Sequence, residues 1–224
     1  MSDRAGWRRR QMLRAAGCGL GLAALMAGGL GVALPAGAQT AQDPAGFVSA
    51  FSGRASLTNE NGVRTLQTGM AIYHGDHVVT GEGARATVRL DSGVVVTAGA
   101  TSDMQIAANT ASSYGWRSMV RVRAGIVRVE FSPDTPVDGV TVETDTAHVN
   151  TQYGHAVIEV SPMLTRVVAT EGRILVSGAD GPERSVAVLG PGKGVDVARL
   201  QRAYDPMPWP TGLIQSFVQR TAYR

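Results

Sequence analysis

Apolar and polar residues alternate with a period of two over much of the chain. Residues 84–90 read ARATVRL, with Ala84, Ala86, Val88 and Leu90 on one side and Arg85, Thr87 and Arg89 on the other. Residues 119–131 read MVRVRAGIVRVEF. There Val120 and Val122 alternate with Arg121 and Arg123, and Val127, Val129 and Phe131 alternate with Arg128 and Glu130. This period predicts strands with one face buried and one face wet. Shorter runs at 94–97, 140–143, 156–160, 165–169, 173–177, 185–189 and 194–198 are rich in Val and Thr, which suit a pleated surface. Between them lie turn sequences: Asn61-Gly62, Asp91-Ser92-Gly93, Asp138-Gly139, Asp180-Gly181-Pro182 and Gly190-Pro191-Gly192. Turns this closely spaced leave little room for crossover helices. The expected fold is all-β: an antiparallel β-sandwich, or a twisted solenoid-like β module.

A weak internal repeat supports a repeating meander. Ser52-Gly53-Arg54-Ala55-Ser56-Leu57 resembles Glu171-Gly172-Arg173-Ile174-Leu175-Val176, and Ala124-Gly125-Ile126-Val127-Arg128-Val129 is a looser copy. Each glycine leads into a strand, where a bulge or a positive φ is expected. The last segment has another character. Pro206, Pro208 and Pro210 forbid a central strand. Thr211 is then placed to cap a short helix whose Leu213, Ile214, Phe217 and Val218 share one side. Such a stripe docks on the protein's own sheet or on a partner.

The N-terminus changes the setting. Arg8-Arg9-Arg10-Gln11-Met12-Leu13-Arg14 is followed by twenty uncharged residues, 15–34, and then by Ala36-Gly37-Ala38. This is the order of an export signal, with cleavage expected after Ala38 and a periplasmic or secreted product. The uncharged stretch holds six Gly and six Ala, which makes it a weak membrane span, although an uncleaved anchor stays open as the alternative. Arg9-Arg10-Gln11-Met12-Leu13-Arg14 resembles a twin-arginine motif; an ordinary Sec signal is the other route. Cys18 is the only cysteine, so the mature chain has neither disulfide nor thiol chemistry. Of the formal charge of +3, residues 1–38 carry +4 and leave the mature chain at −1. That argues against nucleic acid as a partner, since phosphate neutralisation needs many cations on one face. The expected organisation is a signal over 1–38, a flexible leader over 39–46, one β domain over 47–200, and a Pro-rich segment with a short docking helix over 201–224.

Residues 74–106, HGDHVVTGEGARATVRLDSGVVVTAGATSDMQI, carry a further pattern. Gly75-Asp76, Val78-Val79-Thr80-Gly81, the strand Ala86–Leu90 and Asp91-Ser92-Gly93 stand in the order of a FecR-type domain, which this stretch resembles. Ala124–Val129 is similar to that family's central strand, and Val140–Val160 to its threonine-then-Gly-Thr-x-Phe stretch. Glu171–Val176 and Leu189–Gly194 are similar to its closing hairpin. The resemblance spans roughly residues 47–200. It implies a periplasmic all-β module acting through contacts, in a family best known for regulating sigma factors in iron uptake. One local departure is Gln152-Tyr153-Gly154-His155-Ala156, where the family has Arg-Gly-Thr-x-Phe. Gly75, Asp76, Thr80, Gly81, Asp91 and Gly93 of the motif read as builders of tight turns, Asp76 as an acceptor of backbone N–H groups.

Candidate chemistry is sparse. His74, Asp76 and His77 suggest a metal, but residues three apart leave a strand on opposite faces, so no metal site is expected. Gly190-Pro191-Gly192-Lys193-Gly194 lacks the Gly-Lys-Ser/Thr ending and the helix of a phosphate loop and reads as a hairpin turn. There is no Gly-x-Ser-x-Gly elbow. Glu143 and Asp145 lie two apart, as solvated carboxylates often do. The expectation is a protein that is not an enzyme and needs no cofactor. Alternation turns Arg85, Arg89, Arg121, Arg123 and Arg128 away from the core. On neighbouring strands they would make a basic stripe for an anionic polysaccharide, lipid headgroups or an acidic protein patch; the alternative is a solvated outer face.

Overall fold

The computed structural model describes residues 43–113, 115–131, 137–179, 186–199 and 205–222. The predicted signal, the first half of the predicted leader and the Asp180-Gly181-Pro182 turn lie outside them. Fifteen strands and one helix follow in order: β1 (Gly46–Ser52), β2 (Ala55–Asn59), β3 (Gly62–Thr65), β4 (Ala71–Ile72), β5 (His77–Thr80), β6 (Arg85–Leu90), β7 (Val95–Ala98) and β8 (Asp103–Ser112). Then come β9 (Gly115–Phe131), β10 (Val137–Glu143), β11 (Ala147–Ser161), β12 (Leu164–Gly178), β13 (Val186–Leu189), β14 (Lys193–Ala198), β15 (Met207–Pro208) and α1 (Thr211–Thr221). The fold is all-β with one short C-terminal helix.

All the strands belong to one hydrogen-bonded sheet, arranged in two layers. The first layer runs β4–β1–β6–β7, continues through the C-terminal halves of β9 and β11 and the N-terminal half of β12, and ends with β14–β15. The second runs β3–β2–β5–β8, then through the opposite halves of β9, β11 and β12, with β10 between β9 and β11 and β13 at the edge. Three long strands therefore serve both layers. Their inward side chains, Val88, Val96, Val127 and Val129 from the first layer and Ile106, Val120, Val122, Val142 and Val176 from the second, join one core.

The long strands bend where glycine permits it. Along β9 the inward set shifts from even positions (Val120, Val122) to odd ones (Val127, Val129, Phe131). The shift falls at Gly125, with φ +92°, where a Cβ would lie 2.5 Å from the Ser102 Cα. In β11 and β12 the bends meet: Gly154 (φ +120°) pairs with Gly172 (φ +74°). A Cβ on Gly172 would lie 2.4 Å from the Tyr153 carbonyl oxygen, and one on Gly154 would lie 2.4 Å from that of Glu171. Two backbones cross there at a separation that no side chain allows.

Four expectations need correction. Residues 165–169 and 173–177 are halves of one strand, β12. Asp138-Gly139 is no turn, because both residues lie within β10, which pairs with β9 in parallel and breaks the antiparallel meander. Gly190-Pro191-Gly192 closes no hairpin; β13 and β14 each pair with β12, in different layers, and the loop arches between them. Thr211 is the first residue of α1 and not its cap. Pro210 holds the N-cap position, without a side-chain cap bond.

Candidate functional site

The turn residues of the 75–93 stretch build the joints between layers. The Thr80 hydroxyl donates to the Gly99 carbonyl at 2.6 Å and accepts the Ser102 N–H at 2.9 Å. The Ser102 hydroxyl in turn donates to the Ile126 carbonyl at 3.1 Å and accepts its N–H at 3.0 Å. One buried chain of bonds thus ties the β5 and β7 ends to the bend in β9, which satisfies backbone groups that the arches remove from the ladders. Gly81 donates its N–H to the Arg54 carbonyl, and Gly75 donates its own to that of Ile106. The buried Asp76 carboxylate accepts the Tyr73 N–H and the Asn59 amide, both at 2.9 Å. That bond reaches three residues back and holds the turn before β5. Asp91 and Gly93 shape the β6–β7 hairpin, where Gly93 has φ +88°. Between them Ser92 meets the Ser118 hydroxyl, which donates to Asn109.

The suspected metal cluster does not assemble. The His77 Nδ1 lies 3.0 Å from Asp103, while Asp76 is engaged as described. Among the described residues no three His, Cys, Asp or Glu side chains converge. Glu143 and Asp145 are no pair either: Glu143 accepts from Arg121 at 3.0 Å, and Asp145 sits exposed in the β10–β11 turn.

The five arginines divide between two outer faces. Arg85, Arg89 and Arg128 belong to the first layer, Arg121 and Arg123 to the second. No single stripe forms, because alternation fixes inward against outward and says nothing of which layer a strand joins. Arg85 is used internally: its Nε and Nη2 donate to the Arg220 and Gln219 carbonyls, both at 3.2 Å, which satisfies acceptors that the end of α1 leaves open. Arg128 is ion-paired with Glu130.

The first layer's outer face is covered by the chain itself. Ile126, Val157 and Val168 are fully buried there beneath Phe217 of α1. Trp209 meets the Phe217 ring edge-on with centroids 5.4 Å apart, and Arg220 reaches the Glu159 carboxylate at 2.6 Å. Gly194 makes the seat, since a Cβ there would lie 2.3 Å from the Trp209 ring. The docking alternative for the C-terminal stripe therefore holds, except that Leu213 stays exposed.

The second layer's outer face keeps its polar side chains in water. Arg117, Arg121 and Arg123 of β9, Asn150 and Tyr153 of β11 and Arg173 of β12 are exposed. Part of this face is a groove of about 420 Å³, bounded by Arg117 on one side and by Tyr153 and Arg173 on the other. Its floor includes Gly139, which leaves open space above β10. Tyr153 and Arg173 were not singled out in the sequence as site residues. The signal for Tyr153 is the departure at Gln152–Ala156; Arg173 stands only within the repeat Glu171–Val176.

No family model and no curated protein sequence matches the chain. Two crystal structures of a Parabacteroides distasonis protein called a "putative anti-sigma factor" share the fold, at 17% and 18% identity and a TM-score of 0.52 each. In both, the match covers 64% of this chain, which spans 64% of the length of that protein. At this identity the likeness establishes the architecture alone.

Proposed function

We propose that the chain is a non-enzymatic, exported FecR-type module that holds a protein or glycan as a scaffold or sensor at the bacterial cell envelope. The observation that carries this reading is the asymmetry of the two faces. One is sealed by Trp209, Phe217 and α1; the other leaves Arg121, Arg123, Tyr153 and Arg173 in water. The reading needs no cofactor, metal or nucleic acid. It requires membrane contact only if residues 1–38 are retained. A photo-cross-linking residue in place of Arg123, introduced in cells, should yield a discrete adduct; the same residue in place of Gln215 on the exposed side of α1 should not. Equal adducts at both positions, or none at Arg123, would refute the reading.

The second reading is a membrane-tethered regulator of transmembrane signalling of the sigma-factor type. It draws support from the fold shared with the protein called an anti-sigma factor. Mass spectrometry of the cellular protein separates the two: an N-terminus near Gln39 removes the tether, and an intact Met1 or Ser2 start restores it.

A further inference from the structure

We propose that the groove between the Glu60-Asn61 hairpin tip and the turn at 73–76 binds a neutral oligosaccharide, with the Tyr73 ring against one sugar face and His77, Gln105 and Asn61 on the hydroxyls. This deepens the reading of the open face given above and rests on it.

The groove measures about 720 Å³, within the range of about 300–1,000 Å³ for small-molecule sites. Its floor belongs to the second layer. Leu57, Val78 and Met104 point into the core, so alternation turns Thr58, His77 and Gln105 outward. They stand in one row across β2, β5 and β8, because Thr58 pairs with His77 and His77 with Gln105. The row continues to Arg121 on β9, which puts the groove on the open face. Its walls are fixed before a ligand arrives. The buried Asp76 carboxylate accepts the Asn59 amide and the Tyr73 N–H, and Asn59 in turn accepts the Asn61 N–H at 3.0 Å. One carboxylate thus ties the hairpin tip to the turn that faces it. The Gln105 Nε2 donates to the Gly75 carbonyl at 3.1 Å and joins that turn to β8. Side chains ordered in advance lose little freedom on binding.

The polar atoms that remain are of both kinds, and that selects hydroxyls. With its amide nitrogen on Gly75, Gln105 presents Oε1 as an oriented acceptor. The Asp103 carboxylate only accepts, so His77 carries its proton on Nδ1 and the Nε2 of the neutral ring is a second acceptor. Donors come from the Asn61 amide, the Tyr73 hydroxyl and the His74 ring, which also line the groove. A sugar hydroxyl donates and accepts at once and so uses both sets. A cation would use the acceptors alone. An anion would need a positive partner, yet Lys and Arg are not among the lining residues, while Glu60 and Asp76 are. The field therefore disfavours acidic glycans and phosphates. The half-buried Tyr73 ring offers an apolar face to the C–H side of a sugar. A protein ligand would favour a drier floor, because interface centres are apolar.

The test is calorimetry of the full chain with cellohexaose, maltohexaose and N-acetylchitohexaose, and with polygalacturonate and spermidine as charged controls. At least one neutral oligomer should bind, with an affinity unchanged between low and high salt; the charged probes should not bind. Gln105→Ala should weaken binding roughly fivefold, the loss expected for one neutral hydrogen bond. Tyr73→Ala should weaken it more than Tyr73→Phe, which keeps the ring, while Gln215→Ala on α1 leaves it unchanged. Each variant is checked for an unaltered melting temperature. Binding of none of the three neutral oligomers, tighter binding of spermidine or polygalacturonate, or full affinity in both Gln105→Ala and Tyr73→Ala would overturn the assignment. Absent oligosaccharide binding together with a persisting adduct at position 123 would remove the glycan and leave the open-face module standing. Loss of both would remove both.

Discussion

Replacing Gly172 with alanine tests the crossing of β11 and β12 directly, and Gly192 supplies the control. Both residues have nearly the same backbone, φ +74° and φ +78°. A Cβ on Gly192 meets nothing within 4 Å, so Gly192→Ala carries only the left-handed strain of about 1–2 kcal/mol. On Gly172 the same atom would lie 2.4 Å from the Tyr153 carbonyl oxygen and 2.6 Å from the Gly154 Cα. Both are backbone atoms of the paired strand, so neither can rotate away. Forced displacement of packed structure adds about 1–3 kcal/mol, for a total of roughly 2–5 kcal/mol. Against a typical domain stability of about 5–15 kcal/mol that is a large share. Urea unfolding followed by tryptophan fluorescence and far-ultraviolet circular dichroism reads the difference. With a slope of about 1–3 kcal/mol per molar urea, the Gly172→Ala midpoint should fall well below that of Gly192→Ala. Coincident midpoints for the two variants would refute the close crossing.

Truncation of Phe217 to alanine should release α1 from the sheet, at a cost of up to about 3–5 kcal/mol, the range for a buried aromatic side chain. Limited proteolysis should then cut within residues 211–221 while the β signal persists; an unchanged cleavage rate would contradict the docking. Thr165 is fully buried and its hydroxyl meets those of Thr144 and Thr146 at 2.8 and 2.6 Å. Thr165→Val should cost about 1–3 kcal/mol by stranding the buried Thr146 hydroxyl, which donates to Thr165, while the Thr144 hydroxyl keeps its bonds to Ala147. Thr165→Ser, which loses one methyl, should cost only about 0.8 kcal/mol, and thermal melts rank the two. Native-state hydrogen exchange should give the Val122 amide, in the second layer, the same protection as that of Val129 in the first; separate opening energies would show that the layers melt independently. Arg121→Glu with Arg123→Glu should leave the melting temperature within a few degrees of the parent, because both side chains are exposed and surface ion pairs contribute at most about 1 kcal/mol.

The inward residues of the predicted strands were legible, because burial in a half-wet sheet writes itself as alternation: Val120, Val122, Val127, Val129 and Phe131 are all core. What alternation cannot express is partnership. The parallel pairing of β9 with β10, the split of the arginines and the arch at Gly190–Gly192 all depend on which strand lies beside which. β8 was missed for a different reason. Its sequence DMQIAANTAS sends only Met104 and Ile106 inward as large apolar residues, and then the buried position falls to Asn109, which bonds the Ala45 carbonyl. The glycines of the weak repeat were correctly marked for positive φ, at Gly53, Gly125 and Gly172. Their role inside long strands was hidden, since a bend through a strand and a turn before one share the same residue. The groove between Arg117 and Arg173 was fainter still: its arginines were unremarkable on polar faces, and only the unusual Gln152–Ala156 stretch set it apart.

Because β9, β11 and β12 are common property of both layers, the molecule has no seam along which it could be divided. The first layer is stitched from pieces scattered between Gly46 and Pro208 and the second from pieces between Ala55 and Leu189, so no contiguous fragment carries one wall without parts of the other. Length can be added at hairpin tips such as Glu60-Asn61, but not at the glycine joints, where an inserted residue would invert every side chain downstream and turn a wall inside out.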